Sequence, residues 1–359
     1  MQMTMRWFGP GDPVRLEYIR QVPGVNGIVS SLHDVAVGTA WTTDGIEAHA
    51  ERIDKAGLRF AVVESIPVHE DIKLGAPSRD RLIDAFAESV RVVGAAGVPV
   101  VCYNFMPVFD WMRTDLHLLR DDGSTALAFS QSALDDVDLS RGTGDLPGWA
   151  TTYDATAMSE LLHAWRSVNA ERLWENLAYF LERVVPVAAA CGVNLALHPD
   201  DPPWPIFGLP RIITSGPALQ RVTSLHDDPA NGITFCTGSL GSSAANDLPA
   251  MVRALEGRIH FTHSRNVLRT GAYDFEEVPH PGAFGDVDMF AVLAALHDIG
   301  FDGPMRPDHG RMIWGETGRA GYGLHDRALG AMYLQGLWEA IVRQQPVFQQ
   351  QPLSPRRIP

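Results

Sequence analysis

Asn194-Leu-Ala-Leu-His198 is a short apolar run that stops on a side chain able to bind a metal, and the next residue is a proline. The pattern recurs downstream in Ile233-Thr-Phe-Cys236, Ile259-His-Phe-Thr-His263 and Met305-Arg-Pro-Asp308, followed by Thr-Gly, Ser and His. Short apolar runs closed off by a turn residue are what strands buried in a parallel sheet look like. In a closed barrel of such strands the C-terminal ends meet at one mouth. Side chains alternate along a strand, so His198 shares a face with Ala196, Cys236 with Thr234, His263 with Phe261 and Asp308 with Arg306. All four can point inward together, and two imidazoles, a thiolate and a carboxylate can hold a divalent metal.

Working outward, similar runs lie at Met5–Phe8, Gly27–Leu32, Phe60–Ser65 and Pro99–Phe105, and with 194–198, 232–237, 258–264 and 304–308 they make eight. Helical periodicity fills the gaps. Ile46, Ala50 and Ile53 follow an Asp44/Glu47 capping pattern and stop at Gly57; Leu82, Ile83, Phe86, Val90 and Val93 run from Ser78 to Gly94. The longest stripe runs from Leu173 to Ala188, and Met289, Phe290, Leu293 and Leu296 end at Gly300. Strands alternating with helices in this number specify an α/β chain of one domain, 1–359, folded as a (β/α)8 TIM barrel.

One connection breaks the rhythm. Residues 106–170, after the fourth strand, hold Trp111, the turn signal Asp121-Asp122-Gly123, an acidic patch at 135–138 and Gly142 to Gly148. A connection this long at a barrel mouth reads as a cap or lid. Two further Gly- and Pro-rich connections, 199–216 and 265–285, leave the same mouth, and the Gln- and Pro-rich tail 344–359 is expected to be loosely ordered.

Composition removes several classes of function. The formal net charge is −14, which would repel a polyanion, so nucleic acid is not the partner. No apolar stretch has the length of a membrane span, and the N-terminus lacks a secretory core, so the expected address is cytoplasmic. Cys102, Cys191 and Cys236 are odd in number and scattered, which argues against a disulfide framework and leaves Cys236 available as a ligand.

Other residues cluster at the same predicted mouth. His309 follows Asp308 directly and suits a general acid or base, or a fifth ligand. Tyr322, between Gly321 and Gly323, is a second acid/base candidate or an ordinary loop tyrosine. Arg265 and Asn266 could hold a carboxylate and a hydroxyl, Asn104 and Glu64 polyol hydroxyls. Trp7 ends the first strand, as part of the pocket wall or of the core. His49, His163 and His297 are expected on solvated helix faces.

Five ordered strings, Arg6-Trp-Phe-Gly-Pro-Gly-Asp-Pro, Leu197-His-Pro-Asp-Asp-Pro-Pro203, Phe235-Cys-Thr-Gly-Ser239, His263-Ser-Arg-Asn-Val267 and Arg306-Pro-Asp-His-Gly310, together resemble the D-mannonate dehydratase family of the metal-dependent, xylose-isomerase-like barrel type. The resemblance implies a hydro-lyase of hexuronate (glucuronate) catabolism that converts D-mannonate into 2-keto-3-deoxy-D-gluconate and water. It also implies Mn2+ as the usual ion, His198, Cys236, His263 and Asp308 as ligands, and His309 and Tyr322 as the acid/base pair. A thiolate is unusual for so hard an ion, which keeps Fe2+, Co2+ and Zn2+ in view. The expected partners are a small sugar acid and further copies of the chain, a dimer or higher. Two other readings fit a metal at a barrel mouth, a sugar isomerase and a non-catalytic sugar-acid sensor; isomerases tend to use several carboxylate ligands where this set has one.

Overall fold

The first and last strands of the chain find each other, and that pairing closes the barrel. In the computed structural model, which describes residues 1–139 and 154–344, β1 (Gln2–Arg6) lies parallel to a strand formed by Pro304–Pro307, with Gln2 opposite Pro304 and Met3 opposite Met305. Twelve strands are described. In chain order they are β1, β2 (Gly27–Ser30), β3 (Arg59–Glu64), β4 (Val100–Tyr103), β5 (Asp115–Leu119), β6 (Thr125–Phe129), β7 (Asn194–Leu197), β8 (Asn231–Cys236), β9 (Ile259–Ser264), β10 (Asn266–Arg269), β11 (Phe275–Val278) and β12 (Pro304–Pro307). The barrel runs β1-β12-β9-β8-β7-β4-β3-β2, all parallel, and its eight strands are the eight expected. The first begins and ends earlier than its apolar pattern suggests, because Trp7 and Phe8 already belong to the loop at the mouth.

The strands are buried on both faces, so their sequences are continuous apolar runs. Inside, Val29, Ala61, Val62, Val100, Cys102, Ala196 and Phe261 form a compact plug below the mouth. Thr234 crosses it, donating to the Ala196 carbonyl at 3.0 Å. Outside, the helices cover the barrel with the expected stripes. In Ala170–Ala190, Asn169 caps the first turn by accepting from the Arg172 N–H, and Leu173, Leu177, Phe180, Leu181, Val184, Val185 and Ala188 are buried.

Three local readings change. The helix Thr43–Lys55 is capped by Thr42, which accepts from the Gly45 N–H at 3.2 Å; Asp44 is the second residue of the first turn, where its charge meets the helix dipole. His49 is buried, not solvated, because its Nε2 reaches Ser30 Oγ at 2.9 Å on the outer side of the barrel wall. Phe290, read as part of an apolar stripe, is 42% exposed.

The segment after β4 carries a hairpin. β5 and β6 are antiparallel, turning at the predicted Asp121-Asp122-Gly123 with Gly123 at φ 80°. β6 then pairs with β11, Phe129 opposite Phe275, and β11 with β10, so two connections that leave the mouth separately build one four-stranded antiparallel sheet beside it. Glu70 ties down both flanks of the segment: Oε2 accepts from the Val108 N–H at 3.0 Å and Trp165 Nε1 at 2.9 Å, while Oε1 meets Lys73 Nζ at 2.6 Å. The Gly142–Gly148 stretch and nearly all of the 344–359 tail lie outside the described residues.

Candidate active site

His198 is placed by the end of β7, where its N–H donates to the Tyr103 carbonyl at 2.7 Å. Its Nδ1 lies 2.6 Å from the Pro199 carbonyl, an acceptor, so the proton sits on Nδ1 and the lone pair on Nε2. That Nε2 faces Nδ1 of His263, from β9, at 3.1 Å. The far nitrogen of His263, Nε2, lies 3.4 Å from Glu64 Oε2 at the end of β3. Cys236 ends β8, fully buried, and its sulfur accepts from the Ser239 N–H at 3.4 Å as the chain turns into the helix Thr237–Gly241.

One ligand atom from each of His198, Cys236 and His263 falls within 4.8 Å of the other two. Asp308, just past β12, joins them: its Oδ2 is 3.8 Å from the Cys236 sulfur and its Oδ1 is 3.8 Å from His263 Nδ1. Ligands bonded to one ion at about 2.0–2.3 Å stand roughly 3.3–3.8 Å apart. His198, Cys236 and His263 could therefore together hold a divalent cation, with Asp308 beside them and its Oδ1 2.7 Å from Arg306 Nη1. Burial alone would raise the Asp308 pKa, but His309, Arg306, His263 and Arg265 outweigh it and hold the carboxyl well below the usual range. Burial lowers the His198 pKa, keeping that imidazole neutral. Both groups are therefore in the protonation state a cation requires.

Beside this cluster, His309 and Tyr322 touch: Nε2 to the phenol oxygen is 3.0 Å. The other nitrogen of His309, Nδ1, lies 2.9 and 3.0 Å from the two oxygens of Glu277 on β11. Trp111 and Phe8 wall the pair, the first with its ring 5.0 Å from His309, the second edge-on to Tyr322 at 4.7 Å. Tyr322 follows Gly321, whose φ of 79° and 2.6 Å clearance from Leu127 on β6 leave no room for a side chain. Burial, the largest influence, together with the charges of Asp308 and Glu64, pushes the Tyr322 phenol up, so it keeps its proton.

The remaining expected site residues divide. Asn104 is half-buried at the end of β4, its Oδ1 accepting from the Met106 N–H at 3.3 Å. Glu64 is at the mouth, but both oxygens are taken by Arg306, at 3.0 and 3.2 Å, and one also faces His263. Arg265 is 1% exposed and spent on Glu277, Asp201 and Asp308, so its fork is closed to a substrate carboxylate. Asn266 points away, donating to the Pro279 and Pro281 carbonyls and accepting from the Val287 N–H. Trp7 packs on His49, with ring centroids 5.3 Å apart, on the helix side of the wall and not in the pocket.

Sequence reasoning missed Glu277, Asp201 and Arg113. Asp201 stands in the Leu197–Pro203 string, three residues past a ligand, and that proximity was the available signal. Glu277 and Arg113 sit in segments with no barrel-strand pattern to mark them.

A parallel eight-stranded barrel, with residues able to hold a cation and a touching His–Tyr pair at the C-terminal mouth, has the architecture of a metal-dependent TIM-barrel enzyme. The chain belongs to the D-mannonate dehydratase family: the family model, D-mannonate dehydratase (UxuA), matches residues 1–347. It is 53% identical over 343 residues to mannonate dehydratase 2 of Halalkalibacterium halodurans, covering 95% of this chain and 99% of that protein. It is 50% identical over 345 residues to mannonate dehydratase of Streptococcus agalactiae serotype III, covering 96% and 99%. The crystal structure of mannonate dehydratase from Streptococcus suis serotype 2 superposes with a TM-score of 0.89 at 49% identity, over 96% of this chain and 95% of that one. A xylose isomerase domain protein from Planctomyces limnophilus, with a TM-score of 0.57 and 15% identity over 95% and 98%, shares the fold. As a member of this family the chain is a carbon–oxygen lyase, a hydro-lyase.

Proposed function

We propose that this chain eliminates water from D-mannonate to give 2-keto-3-deoxy-D-gluconate, with His198, Cys236, His263 and Asp308 holding the cation and His309 and Tyr322 moving the protons. The carrying observation is the 3.0 Å contact between His309 Nε2 and the Tyr322 hydroxyl beside the ligand cluster. A bound divalent cation supplies a Lewis acid where the second negative charge develops as a proton leaves the carbon next to a carboxylate. We take Mn2+ as the ion, as the resemblance implies, and the Cys236 thiolate keeps Fe2+, Co2+ and Zn2+ chemically suitable.

The protein's own groups divide the remaining work. With Nδ1–H directed at Glu277, His309 offers its Nε2 lone pair, and it takes the C2 proton. Tyr322 gives its proton to the departing 3-hydroxyl as the C3–O bond breaks, releasing water and an enol that tautomerises to the keto acid. The proton on Nε2 then returns to the phenolate across the same 3.0 Å contact, restoring both groups. Trp111 and Phe8 keep bulk water off the pair, and the segment 106–170 acts as the lid of the site. Asn104 is the remaining candidate for a substrate hydroxyl. Cys236 serves only in its reduced form, which suits a cytoplasmic address, and we assign the chain a homo-oligomeric state to be checked by sedimentation.

The test is to incubate the metal-reconstituted protein with a panel of hexonic acids and aldoses. A 2-keto-3-deoxy acid from D-mannonate is expected. A ketose from an aldose, or no product from any of them, overturns the reading.

A further inference from the structure

Glu277 belongs to a closed ring of four buried charges. Arg113 donates to both oxygens of Asp201, at 2.9 and 3.0 Å, and to Glu277 Oε1 at 2.8 Å. Arg265 completes the ring, at 2.6 Å to Asp201 and 2.6 Å to Glu277. All four side chains are at most 5% exposed. Two cations and two carboxylates balance, and if that were all, Glu277 would be a structural group.

Arg265 also reaches Asp308, at 3.3 Å, and Glu277 carries the ring to His309. Both Glu277 oxygens reach Nδ1, and a carboxylate there can only accept, so Nδ1 must be the donor. Arg265 Nη1 also lies 3.0 Å from Nδ1, but it is donor-only, and its shorter contact is with Glu277 at 2.6 Å. Without the carboxylate, the guanidinium would face Nδ1 directly and draw the lone pair to that side of the ring. Nε2 would then carry the hydrogen, pointing at the Tyr322 oxygen.

We infer that Glu277 is a positioning residue: delivered by the antiparallel sheet and not by the barrel, it fixes the tautomer of His309 so that Nε2 presents a lone pair to the substrate. The inference rests on the role proposed for His309. It makes turnover depend on the docking of β11, because the sheet carries the group that arms the base.

The experiment is Glu277→Gln, with Glu277→Asp beside it. In the Gln variant the two arginines claim the amide oxygen and leave its NH2 facing Nδ1, which must then accept. We expect kcat to fall by about 10²- to 10⁴-fold, as wrong-tautomer variants of other histidine bases do, with KM and metal content within roughly threefold. The Asp variant, still acceptor-only, should keep at least about tenfold more activity than the Gln variant. Imidazole 15N shifts in metal-free protein, with His309 assigned from a His309→Asn spectrum, should show hydrogen on Nδ1 in the parent and on Nε2 in Glu277→Gln. That readout needs no substrate, so it stands or falls apart from the dehydratase reading. An unchanged tautomer, a loss of activity that merely tracks metal content, or failure of both variants to fold would leave Glu277 a member of the ring alone and overturn the inference.

Discussion

At the residue scale, the proposed proton carriers are held by named partners on both sides. His309 has one nitrogen on Glu277 and one on Tyr322, so replacing it with Asn removes the base while leaving the cation's ligands in place. His309→Asn should lower kcat by about 10²- to 10⁴-fold with near-normal metal stoichiometry by elemental analysis; full activity would remove the base assignment. Cys236→Ala should lose metal and activity together, and unchanged stoichiometry would make the thiol structural. Glu277 also has a stability signature. Burial alone would raise its pKa, but His309, Arg265 and Arg113 bring it from 4.5 to about 2. A depressed carboxylate stabilises the fold above its unfolded pKa and stops doing so as pH falls through the folded one, a contribution of about 3 kcal/mol. Urea midpoints should therefore decline less steeply between pH 4.5 and 2 in Glu277→Gln than in the parent. The convergence of His198, Cys236 and His263, with Asp308 close by, was legible in sequence because each ends a strand of the same pattern. Glu277 was not, because its strand lies outside the barrel and its partner is 32 residues away.

At the scale of elements, the eight strands and their helices were readable from periodicity, and so was the Asp121-Asp122-Gly123 turn. The pairing of β6 with β11 was not, since hydrophobic patterns report which face is buried and say nothing of which distant strand lies alongside. Two predictions belong here. Gly238, in the short helix after Cys236, has Arg265 Nε 1.9 Å from where a Cβ would stand, and the guanidinium is held on several sides. Gly238→Ala should displace it and cost about 1–3 kcal/mol, read as a fall in the urea midpoint, together with kcat. Unaltered stability and turnover would show that Arg265 is free to move. Glu70→Ala should leave the Val108 N–H, Trp165 Nε1 and Lys73 without their shared acceptor, loosening the segment after β4 at its ends. Hydrogen exchange should rise across 106–130 while β7 to β9 stay protected; uniform protection would assign the anchoring elsewhere.

For the whole molecule, a chain of net charge −14 gathers its arginines where they are needed. Arg113, Arg265 and Arg306 are all within 1% of complete burial at the mouth, so the site's field is set locally and not by the surface. The proposed ligands come from β7, β8 and β9, with Asp308 from the end of β12 beside them, and a cation that binds only the closed barrel would stabilise it by mass action. At a thousandfold excess over its dissociation constant the ion adds about 4 kcal/mol, so chelation should lower the melting temperature by roughly 5–10 °C and Mn2+ should restore it. A melting curve indifferent to chelator would mean that no ion is part of the folded state. No helix among the described residues is long and apolar enough to cross a membrane.

The closure of the barrel has a further consequence, in time. The Thr4 hydroxyl bonds the Met305 carbonyl across 301 residues of chain, and Asp308, His309 and Tyr322 all come at or after that last strand. On the ribosome, the segments bearing His198, Cys236 and His263 emerge well before the seam can be sewn, while the residues proposed as the fourth ligand and the proton carriers are still to come. The proposed site is therefore complete only once the C-terminal strand has taken its place beside the first, so the last residues to be made decide when the barrel mouth is whole.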